Sequence, residues 1–273
     1  MRLQDKLSQV SKEGKAVLAT NFYNFETLSG ILEAASALRQ PVILQLSESS
    51  LDYLGLEVAA KMGRAALESY GVEGWLHLDH GSSIDRVQRC LDAGFDSVMI
   101  DASEKPFEEN VAITSEVVRI ASKYQANVEA ELGYVAKLGQ DQSEGGFTQP
   151  AEAAAFVEQT GVNALAIAIG SAHGFYKETP RLELDLLSKI HEATPAALVL
   201  HGSSGIPEAQ LKAAIRRGIA KVNIATETKD TFMRSLKHVL SDNDEIDLRK
   251  VFPKATNSVK LLIMEKLRIV AGE

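Results

Sequence analysis

Eight short, apolar, β-rich runs recur along this chain, and helical patterns lie between most of them. The runs are "AVLATNFY", "PVILQLS", "GWLHLDH", "DSVMIDAS", "NVEAELG", "NALAIAIG", "ALVLHGS" and "AKVNIATET". The intervening "TLSGILEAASALR", "SIDRVQRCLDAG", "FEENVAITSEVVRIASKY" and "PAEAAAFVEQTG" carry apolar residues at helical spacing. Several open on a Ser, Thr or Asp cap and close near a Gly. No linker or low-complexity tract divides the 273 residues. Eight strands alternating with helices in one undivided chain predict an α/β fold, a single (β/α)8 TIM barrel over residues 1–273. The competing architecture is a doubly wound open sheet. That fold carries a glycine-rich turn after its first strand, and "ATNFYNFET" has none.

Charge and cysteine content narrow the function classes. A formal net charge of -8 argues against nucleic acid or an anionic membrane as partner. It leaves room for an anionic small molecule in a local cationic pocket. Cys90 is the only cysteine, which rules out an intrachain disulfide and fits a reduced cytoplasmic setting. The opening "MRLQDKLSQVSKEG" is polar and amphipathic, unlike a secretory signal. No apolar run reaches the roughly 20 residues of a membrane span.

In a (β/α)8 barrel the chemistry sits at the C-terminal strand ends and the loops that follow. Polar residues gather there: Asn21 and Asn24, Gln45 and Ser47, Asp79 and His80, Asp101, Glu129 and Glu131. Strand six runs into "SAHG", strand seven into "HGSSG", and strand eight carries Asn223, Thr226 and Glu227. Of the six histidines, His191 and His238 sit in helical patterns and His77 lies inside a strand. His80, His173 and His201 share one context: each closes an apolar run and is followed by Gly. One such histidine reads as a buried, hydrogen-bonded imidazole. Three on one barrel face read as a catalytic zinc site with an open position. "HGSSGIP" and "NIATET", each ahead of a helix, offer backbone N–H groups and hydroxyls for a phosphate. Helix capping by Ser204 and Thr226 explains one residue in each loop. Asp79 has two readings, orienting a ligand histidine or carrying a proton.

These motifs together resemble the class II, metal-dependent ketose-bisphosphate aldolases (the fructose/tagatose-bisphosphate aldolase family), over nearly the whole chain. The resemblance implies one zinc ion on His80, His173 and His201, with Asp79 moving the proton on the C4 hydroxyl. It implies that Gly174, Lys177, Gly202, Ser204, Asn223 and Thr226 hold dihydroxyacetone phosphate. Asn21 and Ser47 are further substrate-binding candidates. Carbonyls near Gly174 and Gly202 match a monovalent-cation site (Na+ or K+) of some members, and Asp101 and Glu131 a secondary metal position. A homodimer or homotetramer is usual in the family, and the apolar last helix suggests self-association.

Two departures bear on the substrate. Many members carry Gly-Gly-x-Glu-Asp after the fifth strand, and its Glu assists proton transfer. Here "YVAKLGQDQSEGG" puts Gly139 at that Glu, with Asp141 and Glu144 nearby in what reads as a mobile loop. Members that take 1,6-bisphosphates present an Arg before the last helix, and here Thr256 stands there. The "SESSLDYLG" loop is also acidic, through Glu48 and Asp52. The expected substrate is therefore a ketose 1-phosphate whose C6 end is uncharged or sulfonated, of the 6-deoxy-6-sulfofructose 1-phosphate type. A fructose- or tagatose-1,6-bisphosphate aldolase proper is the alternative. A zinc hydrolase and a non-catalytic sugar-phosphate-binding barrel are the readings from other classes.

Overall fold

The protein is described by a computed structural model over residues 1–133, 146–176, 178–241 and 244–273. Eight parallel strands close into a barrel in chain order. They are β1 (Val17–Asn21), β2 (Val42–Ser47), β3 (Gly74–Gly81), β4 (Ser97–Ile100), β5 (Asn127–Leu132), β6 (Ala164–Ile167), β7 (Ala197–Leu200) and β8 (Ile219–Ile224). β1 pairs with β8, Val17 against Lys221 and Ala19 against Asn223, which closes the ring and excludes an open sheet.

Strand alternation separates two cores. On β2, Val42, Leu44 and Leu46 pack outward against helices. Ile43 between them points inward, where it meets Val17, Trp75, Met99 and Val199. The N-terminal helix α1 (Leu3–Lys12) plugs the lower end of the barrel with Leu3, Leu7 and Val10. The Trp75 indole N–H donates to the Met1 carbonyl at 3.1 Å. The amphipathic opening segment is thus a structural plug.

The outer helices follow their sequence signals. Asn24 caps α2 (Phe25–Leu38) through a reciprocal box with Thr27. α4 (Leu56–Tyr70) follows β2 after α3 (Glu48–Leu54), a short helix that the sequence reading did not foresee. Ser83 caps α5 (Ile84–Asp92), and α6 is Phe107–Ala121. Pro150 opens α7 (Pro150–Thr160). α8 (Leu184–Ala193), α9 (Glu208–Arg216) and α10 (Thr226–Ser241) complete the ring. The last helix, α11, is longer than expected. It spans Leu248–Ala271, so "VFPKATNS" lies within it and not before it. Pro253 sits inside it, past the first turn, and its missing N–H costs the one i→i−4 bond that would reach the Arg249 carbonyl. Among the described residues no helix is long and apolar enough to cross a membrane.

α11 lies close against α2, and Gly30 permits the approach. A Cβ on Gly30 would stand 2.7 Å from the Thr256 carbonyl oxygen and 3.1 Å from the Val259 Cβ. Alanine is the better helix former by roughly 0.5–1 kcal/mol, but overpacking typically costs about 1–3 kcal/mol. Gly30→Ala is therefore expected to destabilise the fold by about 1 kcal/mol or more, read as a lower urea midpoint with an unchanged m-value.

Candidate active site

β3 delivers two consecutive polar residues to the barrel mouth, which regular alternation forbids. The pairing of β3 with β4 shifts register between Leu78 and Gly81. His80 takes a left-handed φ of 54°, uncommon for a non-glycine residue. The irregularity turns His80 to the same side as Asp79. Gly81 follows because a Cβ there would stand 2.7 Å from the Met99 carbonyl oxygen.

His80, His173 and His201 converge, with one nitrogen from each within 4.8 Å of the others. The His80 ring lies 5.0 Å from that of His173 and 4.8 Å from that of His201, centroid to centroid and edge to face. His80 Nδ1 donates to Asp101 Oδ2 at 2.7 Å. His201 Nε2 lies 2.7 Å from Glu129 Oε1. The remaining nitrogens, His80 Nε2 and His201 Nδ1, face each other at 3.1 Å. Two bare lone pairs repel at that distance, so a cation belongs between them. Zn–N bonds of 2.0–2.1 Å in a tetrahedron place ligand nitrogens about 3.3 Å apart. The histidines therefore fit zinc.

Without a metal, a proton fills the gap. Burial alone would lower the His80 pKa, but the Asp101 hydrogen bond and the charges of Asp79 and Glu131 lift it to about 9. His201 moves well the other way, through burial and the neighbouring His80 and Lys221 charges, and stays neutral. Burial pushes the Asp101 carboxyl up, yet its bonds to His80 and Ser103 hold it well below the usual carboxylate range. Asp101 and Glu131 form a second potential metal-binding group with His80. Because Asp101 already binds His80 Nδ1, it can also act as that ligand's anchor.

Asp79 stands beside this centre, its Oδ1 4.0 Å from His80 Nε2. Asn21 Nδ2 donates to Oδ2 and Gln45 Nε2 to Oδ1, each at 2.9 Å. Burial would raise its pKa, but His80, His201 and the Asn21 amide lower it below the ordinary value. Asp79 is thus a fixed carboxylate, able to accept a proton, next to a potential metal.

A cavity of about 60 Å³ opens here. Asn21, Asp79, the three histidines, Gly174, Gly202, Ser204, Asn223 and Thr226 all line it. Ser47 does not. It stands opposite Asp79 in register, but its hydroxyl caps α3 through the Ser50 N–H. Lys177, and the loop positions Gly139, Asp141 and Glu144, lie outside the described residues. The capping expectation for Ser204 changes partner. Pro207, not Ser204, precedes α9, and the Ser204 hydroxyl instead accepts from the Glu227 N–H at 3.2 Å, in the first turn of α10. Glu227 also accepts from the Gly205 N–H at 3.0 Å and pairs with Lys266 at 3.3 Å. The two donor loops are thereby tied at one helix N-terminus. The Gly202 carbonyl, a cation-site candidate, accepts from the Tyr176 hydroxyl at 2.7 Å.

Sequence reasoning set Gln45 and Glu129 among the polar strand ends without a specific role, and passed over Lys221 and Tyr176. Period-two spacing could have found Lys221, which lies two residues before Asn223 on the same strand.

Comparison with known proteins converges on one family. The family model described as "Fructose-bisphosphate aldolase class-II" matches residues 1–273. A probable fructose-bisphosphate aldolase of Bacillus subtilis is 39% identical over 97% of this chain and 95% of its own length. The D-tagatose-1,6-bisphosphate aldolase subunit GatY of Klebsiella oxytoca is 36% identical over 98% and 96%. The crystal structure of the YdjI aldolase from Escherichia coli K12 superposes with a TM-score of 0.88 at 31% identity, covering 99% of this chain and 97% of that one.

Proposed function

Because the chain belongs to the class II fructose-bisphosphate aldolase family, whose named members are lyases, we propose that it is a zinc-dependent aldolase. It reversibly cleaves a ketose 1-phosphate, or a 1,6-bisphosphate, to dihydroxyacetone phosphate and an aldehyde. The observation that carries this reading is the pair of imidazole nitrogens facing each other at 3.1 Å beside a carboxylate held by two amides. Bound zinc would supply Lewis-acid polarisation of the substrate carbonyl. His80, His173 and His201 would hold it.

The chain's own groups do the rest. Asp79 accepts the proton of the C4 hydroxyl as the C3–C4 bond breaks and returns it in condensation. Asn21 and Gln45 keep its oxygens aimed without neutralising it. Gly174, Gly202, Ser204, Asn223 and Thr226 line the wall that would receive the three-carbon phosphate, and the N-terminus of α10 favours an anion there. Lys266 offsets the Glu227 charge close by.

For the far end of the sugar, we favour a C6 group that is not a phosphate. Thr256 is packed at the α2–α11 contact and presents no cation. The acidity of the loop after β2 weighs less than the sequence suggested. Glu48 accepts from the Ser82 N–H at 2.7 Å, and Asp52 pairs with Arg86 at 2.9 Å. That Arg86 guanidinium is engaged by Asp52.

A panel of ketose 1-phosphates and 1,6-bisphosphates, with EDTA and with zinc restored, tests both levels. Dihydroxyacetone phosphate should appear, stop with EDTA and return with zinc. Protein that binds no divalent metal and cleaves no ketose phosphate would sink the aldolase reading. Saturating turnover of fructose 1,6-bisphosphate with a low KM would remove only the C6 assignment.

A further inference from the structure

Beneath the three histidines lies a polar chain that the proposed chemistry leaves unused. From His201 it runs through Glu129, Lys221, His77, Ser97 and Asn127, and all six residues are no more than 1% exposed. Lys221 Nζ bonds Glu129 Oε2 at 2.6 Å and His77 Nε2 at 3.2 Å. His77 Nδ1 lies 2.7 Å from the Ser97 hydroxyl, which also accepts from the Asn127 amide at 3.0 Å. Burying an ammonium and a carboxylate in a barrel core is expensive, and apolar residues of equal volume are often as stable or more so. Their presence under a candidate metal centre calls for another reason.

The reason follows from which atoms carry hydrogens. An ammonium only donates, so His77 Nε2 must accept and its Nδ1 holds the ring proton. A carboxylate only accepts, so His201 Nε2 must donate to Glu129. The lone pair of His201 is then confined to Nδ1, the nitrogen that faces His80. Asn223 Nδ2, at 3.1 Å from the same Nε2, cannot donate to a nitrogen that already bears hydrogen. Turned over, the amide would set its Oδ1, which has no hydrogen-bond partner among the described residues, against that N–H.

We propose that Glu129 and Lys221 are positioning residues that fix His201 as its Nε2–H tautomer, leaving Nδ1 to bind the metal. Lys221 acts through Glu129: its Nζ holds Oε2 at 2.6 Å, which aims the other carboxylate oxygen, Oε1, at the ligand ring 2.7 Å away. This deepens the aldolase reading and rests on its metal site. Outer partners of this kind are typically worth 10–100-fold in metal affinity.

Two measurements test it. Imidazole nitrogen NMR of the wild-type protein should show His201 as Nε2–H and His77 as Nδ1–H. The opposite tautomer at His201 would overturn the proposal without any variant. Glu129→Gln leaves one oxygen to serve two donors. The double variant Glu129→Gln/Lys221→Met removes both charges and guards against misfolding from an unpaired Lys221. Either folded variant should bind zinc 10–100-fold more weakly by competition with a chelator, with an altered visible spectrum of the cobalt-substituted protein. Wild-type zinc affinity and an unchanged cobalt spectrum in a folded variant would refute the positioning role. Failure of the wild type to bind zinc would refute the aldolase reading instead.

Discussion

An Asp79→Ala variant is expected to retain zinc at close to wild-type affinity while kcat falls by about 10²–10⁴-fold, the usual worth of a positioned acid or base. The geometry separates the two effects. Asp79 Oδ1 lies 4.0 Å from His80 Nε2, wider than the about 3.3 Å between two ligands of one tetrahedral zinc, and its oxygens are taken by Asn21 and Gln45. Removing the carboxylate therefore leaves the three imidazoles, together with the Asp101 and Glu129 anchors, in place. Asp79 is partly exposed, so water can satisfy the two amides and the stability cost should stay near 1 kcal/mol. Metal content by atomic absorption and turnover in a coupled assay give the answer. Loss of zinc along with activity would reassign Asp79 from proton carrier to orienting group.

Replacing His201 by alanine should have the larger effect on the metal and a second effect on the fold. With one of three protein ligands gone, zinc affinity should drop by more than the roughly 100-fold upper range for an outer partner, and cleavage should become undetectable. His80→Ala should match it in activity but not in stability. The His201 side chain is 1% exposed and that of His80 28%. Loss of His201 takes a donor from Glu129, whose side chain is fully buried, at a cost of about 1–3 kcal/mol. The vacancy left by His80 opens to solvent. Urea unfolding of the two metal-free variants checks the difference, and equal midpoints would contradict this account of the burial.

The strand count and order were legible because each strand is a short apolar run bounded by turn residues. Both faces of the barrel strands are buried, which gives uninterrupted runs such as "ALVL" (Ala197 to Leu200). The helix starts at Asn24, Ser83 and Pro150 were equally local signals. The true start of α11 was not legible, because Pro253 reads as a breaker and only packing against α2 overrides it. Asn24 and Asn21 looked alike as polar strand ends. One caps a helix and the other holds Asp79. Glu48 and Asp52 looked like a negative field, since their partners Ser82 and Arg86 come from the loop after β3 and from α5.

By itself, the sequence determined a (β/α)8 barrel with His80, His173, His201 and Asp79 at its C-terminal face, because periodicity and strand ends are written locally. Only the tertiary structure decided how those residues meet. Strict alternation would have sent His80 to the opposite face from Asp79. The shifted β3–β4 register and the left-handed φ of His80 turn it back. Which imidazole nitrogen is free was likewise invisible, because it depends on Asp101, Glu129 and Lys221, residues 21, 72 and 20 positions from the histidines they govern. Barrel closure brings those partners within hydrogen-bond distance, and that closure is a property of all eight strands together.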